Sequence, residues 1–362
     1  MRKYLLYTIL SIFILSFFVG CNADGVGIFY TLSKEEELSG SDLQGLYIRS
    51  FVNIGSDVFC GAGPSVWKDN GSSWKNVSKS GYNSDPAIAS DGTTIYAALY
   101  EEDDTDQEKT IWSYDGSSWT EVPSPPFASS TSMWLLDTSG LDFIVRSPDG
   151  NDSYDIYSIN ASGTISSILL TTAYPITDAA YDDLNDIYVL VGGPYYNDNP
   201  IIYHGDGTSF TAATSTVSDP IGGVIYYKDD DSIPPDRSTF YLTTKDGNLW
   251  SSTDGDTWDV VDEAPDNYSD DTPLLFDMGV VTFDSTAYLV IGSDEGYYEM
   301  DLSGTSISRP EGTIDSDTDI EASYSTFADG YVRCFYTVED NHFLMGTATG
   351  VWENDNGDLD QK

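Results

Sequence analysis

VWKDNGSSW at 66–74, IWSYDGSSW at 111–119, IYHGDGTSF at 202–210 and LWSSTDGDTW at 249–258 are copies of one short pattern. In each, an aromatic-bearing strand runs into an Asp/Asn/Gly turn, and a hydrophobic residue opens the next strand. Weaker copies read IYSINASGTI at 156–165, YYEMDLSGTSI at 297–307 and VWENDNGDL at 351–359. Their glycines are Gly71, Gly116, Gly163, Gly207, Gly255, Gly304 and Gly357, spaced by 45, 47, 44, 48, 49 and 53 residues. Glycine accepts the positive φ of a tight hairpin, Asp or Asn bonds the local backbone, and the flanking aromatics pack across the strands. Two further β-rich runs precede each turn, such as 86–90 and 94–100, or 179–182 and 186–191. Four short strands per period of about 45 residues is the arithmetic of a propeller blade. The expected fold is all-β, a seven-bladed β-propeller of four-stranded blades.

The first and last blades read as relatives. YIRSFVNIGSDVFCGAGPSVWKDNG at 47–71 can be laid over YVRCFYTVEDNHFLMGTATGVWENDNG at 331–357. Five residues follow Gly357, which reads as too few for an outer fourth strand. The strand-like run 27–32 is therefore expected to complete the last blade, so that an N-terminal strand closes the ring and hides both sheet edges.

The turn resembles the Asp-box of sialidase-like propellers, S-x-D-x-G-x-T-W. The match is degenerate: Asp69 holds the motif's aspartate position in the first copy, whereas Tyr114 and Thr253 stand there in others. The resemblance implies architecture at blade level, because the Asp-box folds a turn and takes no part in chemistry.

Ahead of the repeats, Arg2 and Lys3 precede an uncharged apolar run from Leu5 to Gly20. A basic n-region and a short h-region form the pattern of a cleaved export signal, and the run is short for a membrane span. Its end, Phe18-Val19-Gly20-Cys21, resembles the lipobox of bacterial lipoproteins, although Leu is usual where Phe18 stands. The resemblance implies lipidation at Cys21 and an anchor at the bacterial cell envelope, on its periplasmic or outer surface. The chain then divides into a lipoprotein signal peptide at 1–20, a short lipid tether at 21–26 and the propeller at 27–362.

With 60 acidic and 15 basic residues the net charge is −45, or −47 once Arg2 and Lys3 are removed with the signal. That charge repels phosphate backbones and excludes a nucleic-acid partner; the membrane is expected to be reached through the lipid anchor alone. Aromatic residues make up 14% of the chain, which argues for a folded protein with an acidic surface. Cys60 and Cys334 remain after Cys21; the repeat places them in neighbouring blades, with two buried thiols favoured over a bridge.

In a four-stranded blade the turns after strands one and three share one face, and the loops after strands two and four share the other. The second set is long and acidic: 34–44, 101–109, 194–200, 263–273 and 309–321. Loops carry function on rigid scaffolds, so this face is the expected contact surface, through Glu101, Asp103, Asp104, Tyr195, Tyr196, Asp198, Tyr268 and Asp270. Simple solvation of charged loops is the competing reading. Arg49 and Arg333 occupy equivalent inner-strand positions in neighbouring blades, where they could hold an anion at the channel or bond to nearby acid. The Asp-rich loops 101–108 and 149–155 offer oxygen ligands suited to Ca²⁺, but neither has the EF-hand spacing; no other metal and no cofactor is implied.

No GxSxG, P-loop, HExxH or Cys/His dyad is present, and no catalytic residue is assigned. The arginine-isoleucine-proline motif of sialidases is absent, Tyr47-Ile48-Arg49-Ser50 being the nearest approach. The expected function is that of an exported, non-enzymatic binding or scaffolding module for protein or glycan partners. The alternatives are an envelope assembly or quality-control factor and a sialidase-like glycan hydrolase. Fold alone does not choose among them.

Overall fold

The computed structural model describes residues 42–362 apart from 124–126, 128, 139, 148–152, 194–199, 215–216, 229–237, 266–271, 284–285, 295, 309–330 and 356–357. Among the described residues the regular structure is all strand, in seven antiparallel sheets laid out in chain order. The sheets comprise β1–β4 (48–76), β5–β8 (82–121), β9–β12 (133–172), β13–β16 (176–212), β17–β20 (221–263), β21–β23 (275–301) and β24–β27 (332–361). In the sixth, a bridge between Glu299 and Ser308 marks the fourth-strand position. This is the seven-bladed β-propeller that the repeat predicts.

The core is not one body but seven. Each apolar cluster joins two consecutive blades, as in Phe59, Ile88 and Tyr114 between blades one and two, or Phe143, Ile176 and Tyr188 between blades three and four. Alternation along each strand puts apolar side chains on both faces of a sheet, and only the neighbouring blades can cover them. A fully buried Phe such as Phe143 or Phe240 contributes about 1.5–3 kcal/mol to its joint.

The repeated turns fold as the sequence implies, with one change of position. Asp115 Oδ1 accepts from the Ser117 amide at 2.9 Å, the Ser117 hydroxyl at 2.8 Å and the Ser118 amide at 2.8 Å. Asp206 repeats this with Thr208 and Ser209, and Asp254 accepts from the amides of Asp256 and Thr257. In these copies the residue immediately before the glycine is the cap, so Tyr114 and Thr253 do not stand at a capping position. Gly116, at φ 89°, takes the left-handed conformation that follows.

Ring closure differs from the expectation. The outer strand of the last blade is β27 (Asp358–Gln361), paired with β26 (Val351–Asp355) from Asp355↔Asp358 to Trp352↔Gln361. The position assigned to 27–32 is thus already filled, and 27–32 itself lies outside the described residues. Four residues suffice because the register leaves only two between the paired strands. Lys362 then anchors the edge, with its ammonium 2.8 Å from Glu353 and 3.1 Å from Asp69 of the first blade. Residues 42–45 seal the same joint as a turn: Leu43 is fully buried, Gly45 donates to the Thr349 carbonyl, and Asp42 accepts from the Trp74 amide. Cys60 and Cys334 lie in the cluster beneath, both buried and free.

Glycines set how closely the strands approach. A Cβ on Gly61 of β2 (Asp57–Ala62) would stand 1.9 Å from the Pro86 carbonyl oxygen of the next blade. Gly61→Ala is therefore expected to cost about 3 kcal/mol or more, because backbone must move. The exposed Ser72→Ala should stay within about 0.5 kcal/mol of the parent. Denaturant unfolding of the two variants against the parent checks this, and equal midpoints would contradict it.

Candidate functional site

The seven innermost strands are β1 (Ile48–Ile54), β5 (Tyr82–Ser90), β9 (Met133–Leu136), β13 (Ile176–Asp182), β17 (Ile221–Lys228), β21 (Leu275–Phe283) and β24 (Val332–Glu339). Six of them lose register close to their first residues. The shifts fall at Ile48/Ser50, Ser84/Ile88, Ile176/Asp178, Ile221/Gly223, Leu275/Met278 and Val332/Cys334. A bulge leaves a residue unpaired and re-aims its side chain. Arg49, Ala87, Thr177, Gly222, Phe276, Asp277 and Arg333 fall in these bulges, and all of them line one cavity of about 680 Å³. All seven inner strands contribute to its wall. The bulges mark where the inner strands begin, which is the face of the loops after strands two and four.

Glycine on the second strand makes room for this arrangement. Cβ atoms at Gly192, Gly292 and Gly346 would meet the Pro175 carbonyl, the Val332 carbonyl and Cys334 Sγ at 2.1, 2.5 and 2.4 Å. The sequence carries this as a second repeat: Cys60-Gly61-Ala62, Val191-Gly192-Gly193, Ile291-Gly292-Ser293 and Met345-Gly346-Thr347. Aligning the inner strands on the aliphatic residue before each bulge would have found the site, and the turn repeat hid it.

At this mouth stand three cations and two carboxyls: Arg49, Lys245 and Arg333, with Asp178 and Asp277. Asp178 uses both oxygens on backbone, accepting from Ala179 N at 2.8 Å and from Val224 N of the next blade at 2.7 Å. Asp277 accepts from Met278 N at 2.7 Å. The two carboxyls flank Gly223, whose Cβ position lies 3.1 Å from Asp178 Oδ2 and 3.2 Å from Asp277 Oδ1. Both touch channel solvent yet lie deep in the ring, so desolvation in a narrow lumen pushes their pKa values up, and the Asp178 charge adds to the rise at Asp277. The positive charge of Arg49 opposes the rise at both. The Arg333 guanidinium lies 3.7 Å above the Phe276 ring and 5.2 Å from that of Tyr331. Burial, then repulsion from Arg333, holds the Lys245 ammonium below its ordinary value.

At the opposite end of the channel, Asp137 and Asp142 form a second carboxyl pair. Asp137 accepts from the Ser90 amide at 2.8 Å, and burial followed by the Asp137 charge raises Asp142. Asp137 is exposed to channel solvent, and desolvation in the narrow lumen raises it as well.

The structure thus brings the sequence-predicted Arg49 and Arg333 into one cavity and adds Asp178, Asp277 and Lys245. Glu101, Asp103 and Asp104 lie in a separate outer loop, where Asp104 accepts from the amides of Asp106 and Glu108 at 3.0 Å each. Tyr195, Tyr196, Asp198, Tyr268, Asp270 and Cys21 lie outside the described residues. The expected long loops are absent between strands two and three in blades one, five, six and seven, where only 63–64, 245–247, 294–295 and 348–350 join them. Among the described residues no cluster of three or more His, Cys, Asp or Glu side chains is arranged to hold a metal ion.

No protein-family profile and no curated protein matches this chain. Among solved structures it resembles YCF48 from Cyanidioschyzon merolae, with TM-score 0.55 and 11% identity over 86% of this chain and 96% of that one. It also resembles the extracellular domain of a proposed hybrid two-component system from B. thetaiotaomicron, with TM-score 0.56 and 13% identity. That match covers 87% of this chain and 38% of the other. A third similar structure comes from an analysis of two prolyl endopeptidases, with TM-score 0.51 and 11% identity over 94% of this chain and 52% of that one. At such identities the likeness establishes the propeller fold, which enzymes and non-enzymes share.

The carboxyls set an opposed pair of pH effects. Asp115 and Asp206, held at about 2 by their turn hydrogen bonds, contribute stability above the ordinary value of 3.8 that is lost as pH falls toward 2. Asp137, Asp142, Asp178 and Asp277 are raised, so their contribution is full below 3.8 and is lost as pH climbs through their folded values. Calorimetry across pH 2–9 should place maximal stability on the acid side of neutrality, at about pH 4–6. Asp142→Asn should flatten the alkaline limb. A maximum at pH 8 would contradict the assignment.

Proposed function

We propose that the chain is an exported, lipid-anchored propeller that acts as a non-enzymatic binding or scaffolding module at the bacterial cell envelope. It engages protein or glycan partners through the face carrying the channel mouth and the loops after strands two and four. The observation that carries this reading is the convergence of six bulged inner strands on one mouth, where chemically varied side chains replace the apolar packing of the blades. The acidic loop 101–108 supports it: Glu101, Glu102, Asp103, Asp106 and Glu108 are all exposed, and Asp104 fixes the loop from within. An acidic contact surface selects basic or cation-bridged partners, Ca²⁺ included.

The Asp178/Asp277 pair invites a second reading as glycan-cleaving machinery, since two carboxyls with raised pKa values resemble an acid/base couple. Against it, Asp178 spends both oxygens on the amides of Ala179 and Val224. A group saturated by backbone donors that stitch two blades together is poorly placed to attack or to shuttle a proton.

Immobilised chain comprising residues 22–362 should retain a saturable partner from an envelope extract. Neutralising the acids of 101–108 to Asn and Gln should mainly reduce the salt sensitivity of retention. Replacing Tyr195, Tyr196 and Tyr268 by Ala should weaken retention without moving the melting temperature. Retention unchanged by both sets, or abolished by substitutions confined to the tight-turn face, would refute the assignment.

The anchor is tested separately. Cys21→Ala should abolish incorporation of labelled fatty acid in cells, and undiminished labelling would exclude Cys21 as the lipidated residue.

A further inference from the structure

Basic side chains in a chain of net charge −45 have no shortage of partners. Lys68 pairs with Asp57 at 2.6 Å, Lys109 with Asp85 at 2.7 Å, Lys228 with Asp183 at 3.9 Å and Lys362 with Glu353 at 2.8 Å. Arg49, Arg146 and Arg333 make no such pair among the described residues, and of these Arg49 and Arg333 share one cavity. Among the described residues neither guanidinium makes an ion pair or a hydrogen bond, and Arg333 Nε is buried without a partner. Both are half-buried, and both sit at bulges that aim them into the channel. Lys245 lines the same cavity close enough to Arg333 for the two charges to repel. Asp178 and Asp277 of the same cavity attract Arg49, while the Arg333 guanidinium faces the lumen without a carboxylate among the described residues in ion-pair distance.

The walls deeper in the channel are of another kind. Beyond the bulges Phe51, Ile88, Leu136, Val224 and Met278 border the cavity with their side chains buried in the blade joints, and the half-buried Ile225 and Phe335 supply its apolar side chains. A volume of about 680 Å³ falls in the range that takes a small organic ligand. The acidic loop 101–108 stands outside the mouth, where it repels extended polyanions. Arginines at the mouth, Ile225 and Phe335 below and acid outside together select a ligand with one negative end and a short apolar body.

We propose that the channel mouth binds a carboxylate-bearing amphiphile, its charged end at Arg49 and Arg333 and its apolar body beside the half-buried Ile225 and Phe335. Guanidinium groups match a carboxylate through paired N–H donors, and the Phe276 ring fixes the plane of Arg333 beneath it. Asp178 and Asp277 are committed to backbone, Asp178 accepting from the amides of Ala179 and Val224 and Asp277 from that of Met278. The inference rests on the binding-module reading and specifies its ligand class. A free small acid and the C-terminal carboxylate of a polypeptide present the same chemistry.

Calorimetric titration of residues 22–362, a piece that contains every described strand, tests the site with octanoate as the probe. Saturable binding of one octanoate per chain is expected, at least tenfold tighter than octanol or octylammonium and weakened by added salt. Arg49→Gln and Arg333→Gln should each weaken it at least fivefold. Thr177→Trp, which places a large side chain in the lumen from an exposed bulge position, should abolish it while the melting temperature holds. An acetylated tripeptide ending in Phe, compared with its amide, separates the sources: tighter binding of its free acid than of octanoate assigns a polypeptide terminus, and the reverse assigns a small acid. Equal affinity for octanoate and octanol, or wild-type affinity in both arginine variants, would overturn the proposal. So would the absence of binding by octanoate and by the peptide acid. If the envelope partner is still retained by Thr177→Trp when no acid binds the parent, the carboxylate site falls and the binding-module reading stands.

Discussion

The structure depends on one constraint: no blade can bury its own faces. Each sheet is apolar on both sides, and each apolar side is covered only by the next blade, so seven sheets generate seven joints and the ring must return to its start. Seven clusters, each spanning two consecutive blades, are the physical record of that constraint. The joint between the last blade and the first is made by side chains from both ends of the described chain: Leu43, Ile48 and Cys60 with Cys334, Leu344 and Val351. Above it, the half-buried network of Lys362 with Glu353 and Asp69 fixes the edge, with His342 2.7 Å from Glu353. Ion pairs of this kind hold orientation more than they add stability, and the apolar cluster supplies the cohesion.

Closure also explains why the functional features sit where they do. Seven inner strands crowd toward one axis, and strands that stayed in register throughout would drive apolar side chains into the lumen along their whole length. Bulges at the first residues of six inner strands interrupt this, and glycines on second strands accept the displaced carbonyls. The backbone groups freed in this way find partners in neighbouring blades. Ser50 donates to the Pro86 carbonyl and accepts from the Ile88 amide at 3.0 Å each, and Asp178 accepts from the Val224 amide at 2.7 Å. Side chains one residue away, at Arg49, Thr177 and Arg333, are released from the blade joints. Their identities vary between blades because nothing in the joint dictates them.

How legible this was in the sequence follows from the same geometry. The turns were legible because each is local: an Asp, a Gly and two hydroxyl residues complete their hydrogen bonds within four positions, as at Asp115–Ser118 and Asp206–Ser209. The blade count followed from their spacing. The closing strand was misjudged because counting residues after Gly357 ignores that Asn356-Gly357 is itself a two-residue hairpin sequence, which lets pairing restart at Asp358. Arg49 and Arg333 were legible through the kinship of the first and last blades. Asp178 and Asp277 were not, since their significance arises only when Gly223 of the intervening blade brings them together. No spacing along the chain encodes an encounter across a ring axis.

The charge distribution follows a related logic. A surface bearing most of 60 carboxylates keeps such a chain soluble and apart from others, at the cost of repulsion within the compact state. That repulsion is smallest when acids lie on outer turns and loops, where water screens them, and it is there that Asp115, Asp206 and Asp254 also complete the hairpins. In the lumen screening is weak, and there the chain sets Arg49, Lys245 and Arg333 beside Asp178 and Asp277. Acid outside and arginines at the axis give a field that points outward along the channel, so the force it exerts on an anion is directed inward. Strong positive charge on an outer loop would be neutralised by its neighbours at once, whereas at the axis it is kept from them by the width of a blade. The ring therefore does more than display loops: by separating its interior from its surface, it lets a strongly acidic protein keep arginines apart from its surface acid.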